Sequence, residues 1–326
     1  MHAPRAIVVG SYNQDFVWRC ARFPAPGETQ RALGFSCGSG GKGSNQAIAC
    51  ARQQASTCFI GAIGADAAAE VARQLAQREG VDARWQICAG ADTGNACVLV
   101  DAQGQNLITV HAGANQHLDA AHVRAQAAAF TGARVVLVQL ETALQPLRAA
   151  FDLAGAAQAL RLLNPAPAYS DLDASLLGDC DLLIPNETEC AELLLQHAGI
   201  AMDAGQLAAL PDAELTALIA RLPCASVLVT LGAAGAFVAH RDGPRLGDRS
   251  ACYRVPPVPA RVQDTTGAGD TFCGALAAAL TLMPDAALRA ATGYASRCAA
   301  LSTEHRGATT APTRAEVVQR FGACVE

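Results

Sequence analysis

The sequence lacks the usual features of membrane, secreted and nucleic-acid-binding proteins. No run of about 18 apolar residues is free of polar or turn residues, so a membrane-spanning helix is not expected. The N-terminus has no basic segment followed by a long apolar one and a cleavage site, so we expect a cytoplasmic protein. The net charge of −5 argues against general nucleic-acid binding, which requires clustered positive charge.

Cysteine pairs with metal-ligand spacing are also missing. The 13 cysteines are scattered, no Cys-x-x-Cys pair occurs, and most stand in apolar runs. Neither a disulfide scaffold nor a zinc site fits this chain length and spacing. We therefore expect reduced thiols that pack as small apolar side chains.

Lysine is almost absent: Lys42 is the one lysine among 24 basic residues. It stands in a glycine cluster at residues 38–43, where a ligand can approach the backbone closely. A flexible ammonium in that setting indicates a contact to an anion or a hydroxyl group. The cluster is not a P-loop, since Gly43 replaces the Ser or Thr that would follow the lysine to reach magnesium.

Apolar runs alternate with Ala/Leu-rich stretches at helical spacing. The runs are residues 7–9, 57–63, 135–140, 182–184 and 227–230, and the helical stretches include residues 120–130, 144–160 and 187–197. This alternation predicts a single α/β domain with a mainly parallel sheet covered by helices on both faces. Residues 12–38 and 95–111 break the rhythm and predict antiparallel additions that form a β lid; the second segment is typical of a hairpin.

The clearest local signal is the run of residues 264–270, which precedes an Ala/Leu helix at residues 271–282. Glycines before a helix leave backbone N–H groups free at its positive end, which suits a phosphoryl group. Asp270 in the first turn fits either a helix cap or a general base beside those amides. Asp264, six residues upstream, is a candidate second acid.

Several motifs occur together in a fixed order. They are GSYNQD (10–15), PAPGET (24–29), GGKGSNQA (40–47), HAGAN (111–115), NPAPA (164–168), PNETE (185–189), TLG (230–232) and DTTGAGD (264–270). On these motifs the chain resembles the ribokinase-like (PfkB-type) carbohydrate kinases, from about residue 6 to about residue 315. The resemblance implies a three-layer α/β/α fold spanning residues 1–326, with a small β lid, and ATP-dependent phosphorylation of a sugar.

The resemblance also implies roles for individual residues. Asp270 is the expected general base, and the anion hole consists of Gly267, Ala268 and Gly269. The expected sugar ligands are Asn13, Asp15, Gly41, Lys42, Asn45 and Glu141. Magnesium and the ATP phosphates are assigned to Asn186 and Glu189, and the rest of the nucleotide to Thr230, Gly232, Gly235 and Ser296, with Gly269 at the phosphates.

Two further properties follow from the resemblance alone. A monovalent cation, potassium, is expected beside the anion hole, and its ligands are Asp264, Thr266, Ser302, His305, Gly307 and Thr310. Asp264 thereby becomes a cation ligand instead of a second catalytic acid. The lid is expected to form the contact of a homodimer.

Three residues depart from the usual pattern of the family, and they bear on the choice of sugar. Tyr12, Ser39 and Asn95 replace residues of different size or polarity, and we expect them to change the sugar pocket. Ribose, phosphorylated at its 5-hydroxyl, is the leading substrate; a nucleoside, fructose or a keto-deoxy sugar acid are alternatives. A sugar acid would need a cationic partner from the lid, namely Arg19, Arg22 or Arg31. A non-catalytic sugar-binding regulator is the alternative from another class, and the intact 264–270 run argues against it.

Overall fold

The computed structural model describes residues 5–168, 172–307 and 309–322. Its strands are β1 (Arg5–Val9), β2 (Asn13–Arg19), β3 (Gly34–Gly40), β4 (Ser56–Ile63), β5 (Asp82–Ile87), β6 (Asn95–Val100), β7 (Asn106–His111), β8 (Ala133–Val138), β9 (Leu160–Leu163), β10 (Leu182–Leu183), β11 (Ser226–Thr230), β12 (Ala236–His240) and β13 (Cys252–Val255). Its α-helices are α1 (Lys42–Arg52), α2 (Ala67–Arg78), α3 (Ala120–Ala125), α4 (Ala127–Phe130), α5 (Leu144–Ala156), α6 (Ala174–Gly178), α7 (Glu187–Ala198), α8 (Ala204–Leu207), α9 (Asp212–Ile219), α10 (Ala268–Leu282), α11 (Leu288–Ser302) and α12 (Arg314–Phe321).

A nine-stranded sheet forms the centre of the protein, in the order β13-β12-β11-β10-β9-β8-β1-β4-β5. Neighbours from β11 to β5 are parallel, whereas β12 and β13 are added antiparallel at one edge. The predicted mainly parallel sheet is confirmed. The antiparallel edge β12–β13 is not among the predicted elements, because β13 is only four residues long and alternates in burial instead of forming an apolar run.

Alternate residues of the strands enter two separate cores. In β1, Ile7 and Val9 join a core formed with α3, α5 and α7, while Ala6 and Val8 join one formed with α1, α10 and α11. Side chains of a strand point to opposite faces, so one run of apolar residues supplies both helical layers. The fold therefore has three layers, as the resemblance implied.

The predicted lid is a second sheet of four strands, in the order β3-β2-β6-β7. β6 and β7 form the predicted hairpin, and β2 and β3 are also antiparallel. The expectation of antiparallel pairing is wrong for β2 and β6, which pair in parallel because a long stretch of chain separates them. In this register Asn13 and Asp15 share one face with Gly38, Ala96 and Ile108. Gln14, Phe16 and Trp18 lie on the other face.

Two predicted helices differ from the structure. The stretch 120–130 is divided at Gln126 into α3 and α4, and the stretch 144–160 ends at Ala156, so that Leu160 begins β9. Helical spacing of apolar residues alone does not show where the backbone leaves the helix.

Most cysteines within the described residues are buried, as expected of small apolar side chains, whereas Cys37 and Cys97 are exposed on the lid. A search of the described helices for one both long and apolar enough to cross a bilayer finds none.

Candidate active site

The start of α1 is pressed against the start of β2 at the root of the lid. Gly41 has a φ of 86°, and a Cβ there would lie 2.7 Å from the backbone nitrogen of Asn13, so only glycine fits. Glu141, in the loop after β8, accepts hydrogen bonds from the Lys42 amide at 2.9 Å and from the Ser11 hydroxyl. These contacts bring Asn13, Lys42 and Glu141 together.

Several carboxylates surround the Lys42 ammonium. Burial lowers the pKa of Lys42, but Asp270, Glu141 and Glu189 outweigh burial and raise that pKa above its usual value. Burial, together with the charge of Glu141, raises the pKa of Asp15 to about 6. The group thus combines one permanent cation with acceptors that suit a polyhydroxylated ligand.

Asp270 is buried in the first turn of α10, next to α1. Its Oδ2 accepts a hydrogen bond from Asn45 Nδ2 at 3.0 Å, and its Oδ1 accepts one from Gln46 Nε2 at 2.9 Å. Gly274 allows this close packing, since a Cβ there would lie 2.3 Å from the Gln46 carbonyl oxygen. Asp270 is therefore not a helix cap: both of its oxygens are held by side chains of the neighbouring helix.

The backbone before Asp270 exposes amides at the start of α10. Gly267 has a φ of 77°, and no side chain caps the helix. The Ala268 amide donates to the Thr265 carbonyl at 3.2 Å, whereas no described residue accepts from the amides of Gly267 or Gly269. These two amides are therefore free to meet an anion at the helix start, whereas the Ala268 amide is already engaged.

A third element, the N-terminus of α7, completes the cavity. Asn186 caps the helix by accepting from the Glu189 amide at 2.8 Å, and Glu189 accepts from the Asn186 amide at 2.9 Å. Thr230 is paired with Asn186 by a parallel bridge. The resulting cavity has a volume of about 210 Å³ and is lined, among others, by Lys42, Asn186, Glu189, Thr230, Gly267, Gly269 and Asp270.

The remaining predicted nucleotide residues lie outside this cavity. Gly232 begins the short 3-10 helix after β11, and Gly235 ends it with a φ of 88°. A Cβ at Gly235 would lie 2.1 Å from the Val255 carbonyl oxygen, so this glycine is required by the turn itself. Ser296 lies on α11, and its hydroxyl donates to the Thr292 carbonyl of the same helix at 2.9 Å.

The six predicted cation ligands are adjacent. Asp264 accepts from the amides of Thr266 at 2.9 Å and Gly307 at 3.0 Å. The Thr310 hydroxyl donates to the carbonyls of Ser302 at 3.2 Å and Gly307 at 3.1 Å, and the His305 amide donates to Ser302 at 3.2 Å. Burial raises the pKa of Asp264, but these amides and the Thr266 hydroxyl lower it below its usual value. An ionised carboxylate among backbone carbonyls fits a hard cation.

The three departures from the family pattern lie behind the sugar-facing side of the lid. Ser39 and Asn95 both pair with Gln14, on the face opposite Asn13 and Asp15. Tyr12 is fully buried beside Trp85, and its hydroxyl lies 3.2 Å from Ser39 Oγ. The three residues therefore pack at the root of the lid, and their effect on the choice of sugar stays a prediction.

The structure also shows site residues that were not assigned from the sequence. Ser11 holds Glu141, and Gln46, Gln139 and Asn164 form a buried chain of amides behind Asp270. Ser11, Gln46 and Asn164 stand inside motifs that the sequence displays, so the signal for them was present. Gln139 stands in an apolar run and gave no such signal.

Comparison with known proteins agrees with this geometry. Residues 3–314 match the profile of the family described as pfkB family carbohydrate kinase. A ribokinase of Staphylococcus aureus is 35% identical over 311 residues, covering 93% of this chain and 95% of that protein. A bifunctional ribokinase/ribose-5-phosphate isomerase A of Fructilactobacillus sanfranciscensis is 35% identical over 96% of this chain, which spans only 55% of that longer protein.

Solved structures give the same result. The chain superposes on a ribokinase of Arabidopsis thaliana complexed with ribose and ATP with a TM-score of 0.80 and 28% identity. The superposition covers 98% of each chain.

Proposed function

This chain belongs to the pfkB family of carbohydrate kinases, and we propose on that premise that it is a ribokinase that transfers the γ-phosphoryl group of ATP to the 5-hydroxyl of D-ribose. The main support for this proposal is that the buried carboxylate of Asp270 lies beside the free amides of Gly267 and Gly269 in one cavity. The Staphylococcus aureus relative and the Arabidopsis thaliana complex support the choice of ribose and ATP.

In the proposed reaction Asp270 accepts the proton of the sugar hydroxyl. The hydroxyl oxygen bonds to the γ-phosphorus of ATP as the bond between that phosphorus and the β–γ bridging oxygen breaks, releasing ADP. The amides of Gly267 and Gly269 stabilise negative charge on the transferred group, with Ala268 at the same helix start. Lys42, the one cation in the group, offsets the charge of the carboxylates around it.

The sugar site is proposed from the root of the lid and α1. Asp15 and Glu141 accept hydrogen bonds from the sugar hydroxyls, and Asn13, Gly41, Lys42 and Asn45 supply the remaining contacts. Asn45 supports this role, because its Nδ2 is bound to Asp270 while its buried Oδ1 has no partner among the described residues. A buried acceptor of this kind is costly unless a ligand satisfies it.

The nucleotide and magnesium sites are proposed at α7 and at the β11–β12 turn. One oxygen of Glu189 is bound to the Asn186 amide, which leaves the other oxygen for a magnesium-bound water. Burial raises the pKa of Glu189, and a divalent cation nearby would favour its ionised form. Thr230, Gly232, Gly235 and Ser296 are proposed to follow the nucleotide from the phosphates to the base.

Potassium is proposed at the ligands Asp264, Thr266, Ser302, His305, Gly307 and Thr310. Their oxygens match the preference of a hard cation. Two of the ligands, Asp264 and Thr266, directly precede the proposed anion hole at Gly267. When bound, the ion would supply fixed positive charge near the start of α10.

The lid is proposed to form a homodimer contact, with residues 12–38 and 95–111 as its parts within a single kinase domain. Ile108 and Val110 support this proposal, because both are about half exposed on the same lid face as Asp15. Exposed apolar side chains in such a cluster mark an interaction surface. A cytoplasmic location stays a prediction from the sequence.

The deciding experiment is a substrate screen with purified protein, MgATP and potassium chloride. ADP release is measured over ribose, deoxyribose, fructose, nucleosides and keto-deoxy sugar acids, with Asp270→Asn as the control for contaminating kinases. We expect turnover of ribose by the wild type and a loss of about 10²-fold to 10⁴-fold in the variant. Turnover of a nucleoside without turnover of ribose would contradict the proposal.

A sugar acid is a weaker candidate on structural grounds. One of the three arginines considered for its carboxylate, Arg22, is held by Glu28, with Nη1 2.7 Å from Oε2. The screen nevertheless includes the acids, since Arg19 and Arg31 are available in the lid.

A further inference from the structure

Gln46 is fully buried in α1, one residue after Asn45, and both ends of its amide are engaged. Its Nε2 donates to Asp270 Oδ1 and to Asn164 Oδ1, each at 2.9 Å. Its Oε1 accepts from Gln139 Nε2 at 2.6 Å. The residue therefore connects the proposed base to two buried amides, Gln139 directly after β8 and Asn164 directly after β9.

The surrounding hydrogen bonds fix the orientation of the Gln46 amide. Asn164 Nδ2 donates to the Ile184 carbonyl at 2.9 Å, so its Oδ1 can only accept. The ionised Asp270 carboxylate also only accepts, and Gln139 presents a donor on the other side. A flipped Gln46 would set acceptor against acceptor at both Asp270 and Asn164.

This arrangement holds the carboxylate without a directly bonded cation. Asp270 receives one N–H on each oxygen, both from neutral amides, and hydrogen bonds to the charged form favour ionisation. Titratable groups facing Asp270 are Lys42 on α1, Glu189 on α7 and Cys273 on α10 itself. Asn45 also serves the sugar in the proposed reaction, so Gln46 is the donor that stays with the base throughout.

We propose that Gln46 is a positioning residue for the base, which keeps Asp270 ionised and its Oδ1 fixed while Oδ2 turns to the sugar hydroxyl. This role rests on the proposed kinase function and adds to it the part played by the amide chain Gln139–Gln46–Asp270. Removal of the donor destabilises the ionised base and loosens its rotamer. The Gln46 amide is engaged by protein partners at both ends, so we expect the affinity for ribose to depend little on this residue.

The test is the pH profile of kcat at saturating ribose and MgATP, from pH 5 to pH 8, for wild type, Gln46→Met and Gln46→Glu. Saturation removes the effect of Asp15 protonation on sugar binding. For Gln46→Met we expect a kcat loss of about tenfold and an acidic limb moved upward by about one pH unit. Gln46→Glu places a carboxyl group against Asp270 and moves the limb at least as far. Ribose affinity, measured by calorimetry, stays close to that of wild type.

Gln53→Met is the matched control on the same helix. Gln53 is also fully buried, donating to the Pro312 carbonyl at 2.6 Å and accepting from the Tyr294 hydroxyl at 2.5 Å, but it has no hydrogen bond to Asp270. For Gln53→Met we expect a lower melting temperature and an acidic limb of the kcat profile at the same pH as in wild type.

If the Gln46 variants do not fold, Gln139→Met decides, because it removes the donor to Gln46 Oε1 and leaves Gln46 itself in place. A smaller upward shift of the acidic limb supports the proposal. An unchanged limb in every soluble variant overturns it, and so does an equal shift in Gln53→Met. A wild type that phosphorylates no sugar overturns the proposed function instead.

Discussion

Asp15 and Glu141 are two carboxylates in one partly buried group, and their proximity has a consequence for sugar binding. The raised pKa of Asp15 means that its ionised form is disfavoured before a ligand is bound. Sugar hydroxyls that donate to the carboxylate favour the ionised form. Binding of the sugar therefore releases a proton in the pH range around this pKa.

The affinity for ribose is accordingly expected to decrease as the pH is lowered. Since the pKa of Asp15 is about 6, the dissociation constant should rise by up to about tenfold between pH 7 and pH 5. Titration calorimetry at several pH values measures this change. Asp15→Asn should bind more weakly at pH 7 with a flatter profile, and an equally steep profile in that variant would contradict the assignment.

A substitution at Gly269 should affect stability and activity in opposite directions. A Cβ at this position would have no protein atom within 4 Å, so Gly269→Ala should fold and gain up to about 1 kcal/mol of helix stability. The added methyl group would narrow the cavity where the phosphoryl group passes, and we expect a lower kcat/KM for ATP. Gly155→Ala in α5, also without nearby atoms, is the control that should gain stability alone. Full activity in Gly269→Ala would refute the placement.

At the scale of elements, α1 connects the proposed sugar site with residues 309–312, which include the proposed potassium ligand Thr310. Its first turns carry Lys42, Asn45 and Gln46. At its other end, Arg52 Nη1 donates to the carbonyls of Thr309 at 3.0 Å and Ala311 at 2.7 Å, and its other nitrogens bind Glu79. A single rigid helix thus fixes the distance between the two sites.

Loss of this anchor should weaken potassium activation. Arg52→Ala removes two hydrogen bonds from a charged donor to the segment 309–312, and we expect the potassium concentration for half-maximal kcat to rise about tenfold. The measurement is kcat against potassium concentration at constant ionic strength. Arg78→Ala is the control, because Arg78 also contacts Glu79, at 3.5 Å, but is 70% exposed. The same rise in both variants would show a general loss of charge instead of a loosened segment.

At the scale of the whole molecule, the lid has apolar residues on both faces, and the two faces differ. On the face of Trp18 the aromatic rings pack on one another, with the Trp18 and Phe35 centroids 5.0 Å apart. On the face of Asp15, Val17 and Val98 continue to Ile108 without such packing. A second copy seated on the Asp15 face would bury these residues and cover the sugar site.

The proposed dimer can be tested one face at a time. Ile108 and its neighbour Leu107 are 53% and 52% exposed on opposite faces of β7. We expect Ile108→Asp to weaken the dimer by at least about tenfold, because a charge would enter an apolar contact, whereas Leu107→Asp keeps it. Sedimentation velocity across a concentration series measures both. Dissociation of the Leu107 variant alone would assign the contact to the other face.

Much of the candidate site could be predicted because its residues stand in short sequence motifs. The run from Asp264 to Asp270 displays its glycines and acids in order, and local backbone preferences make those residues a helix start wherever they occur. The apolar runs likewise determine a mainly parallel sheet with two helical layers. These features depend on neighbours in the sequence, so the sequence by itself was enough to determine them.

Other features were decided only by the tertiary structure. Gln46 lies 224 residues from Asp270 in the sequence, and only the packing of α1 on α10 brings the two together. Likewise, only the strand register shows that Ser39 and Asn95 lie on the lid face opposite Asp15, and only the packing shows that Tyr12 is buried. Long-range packing and strand pairing decide which side chains meet, because they join segments that lie far apart in the sequence.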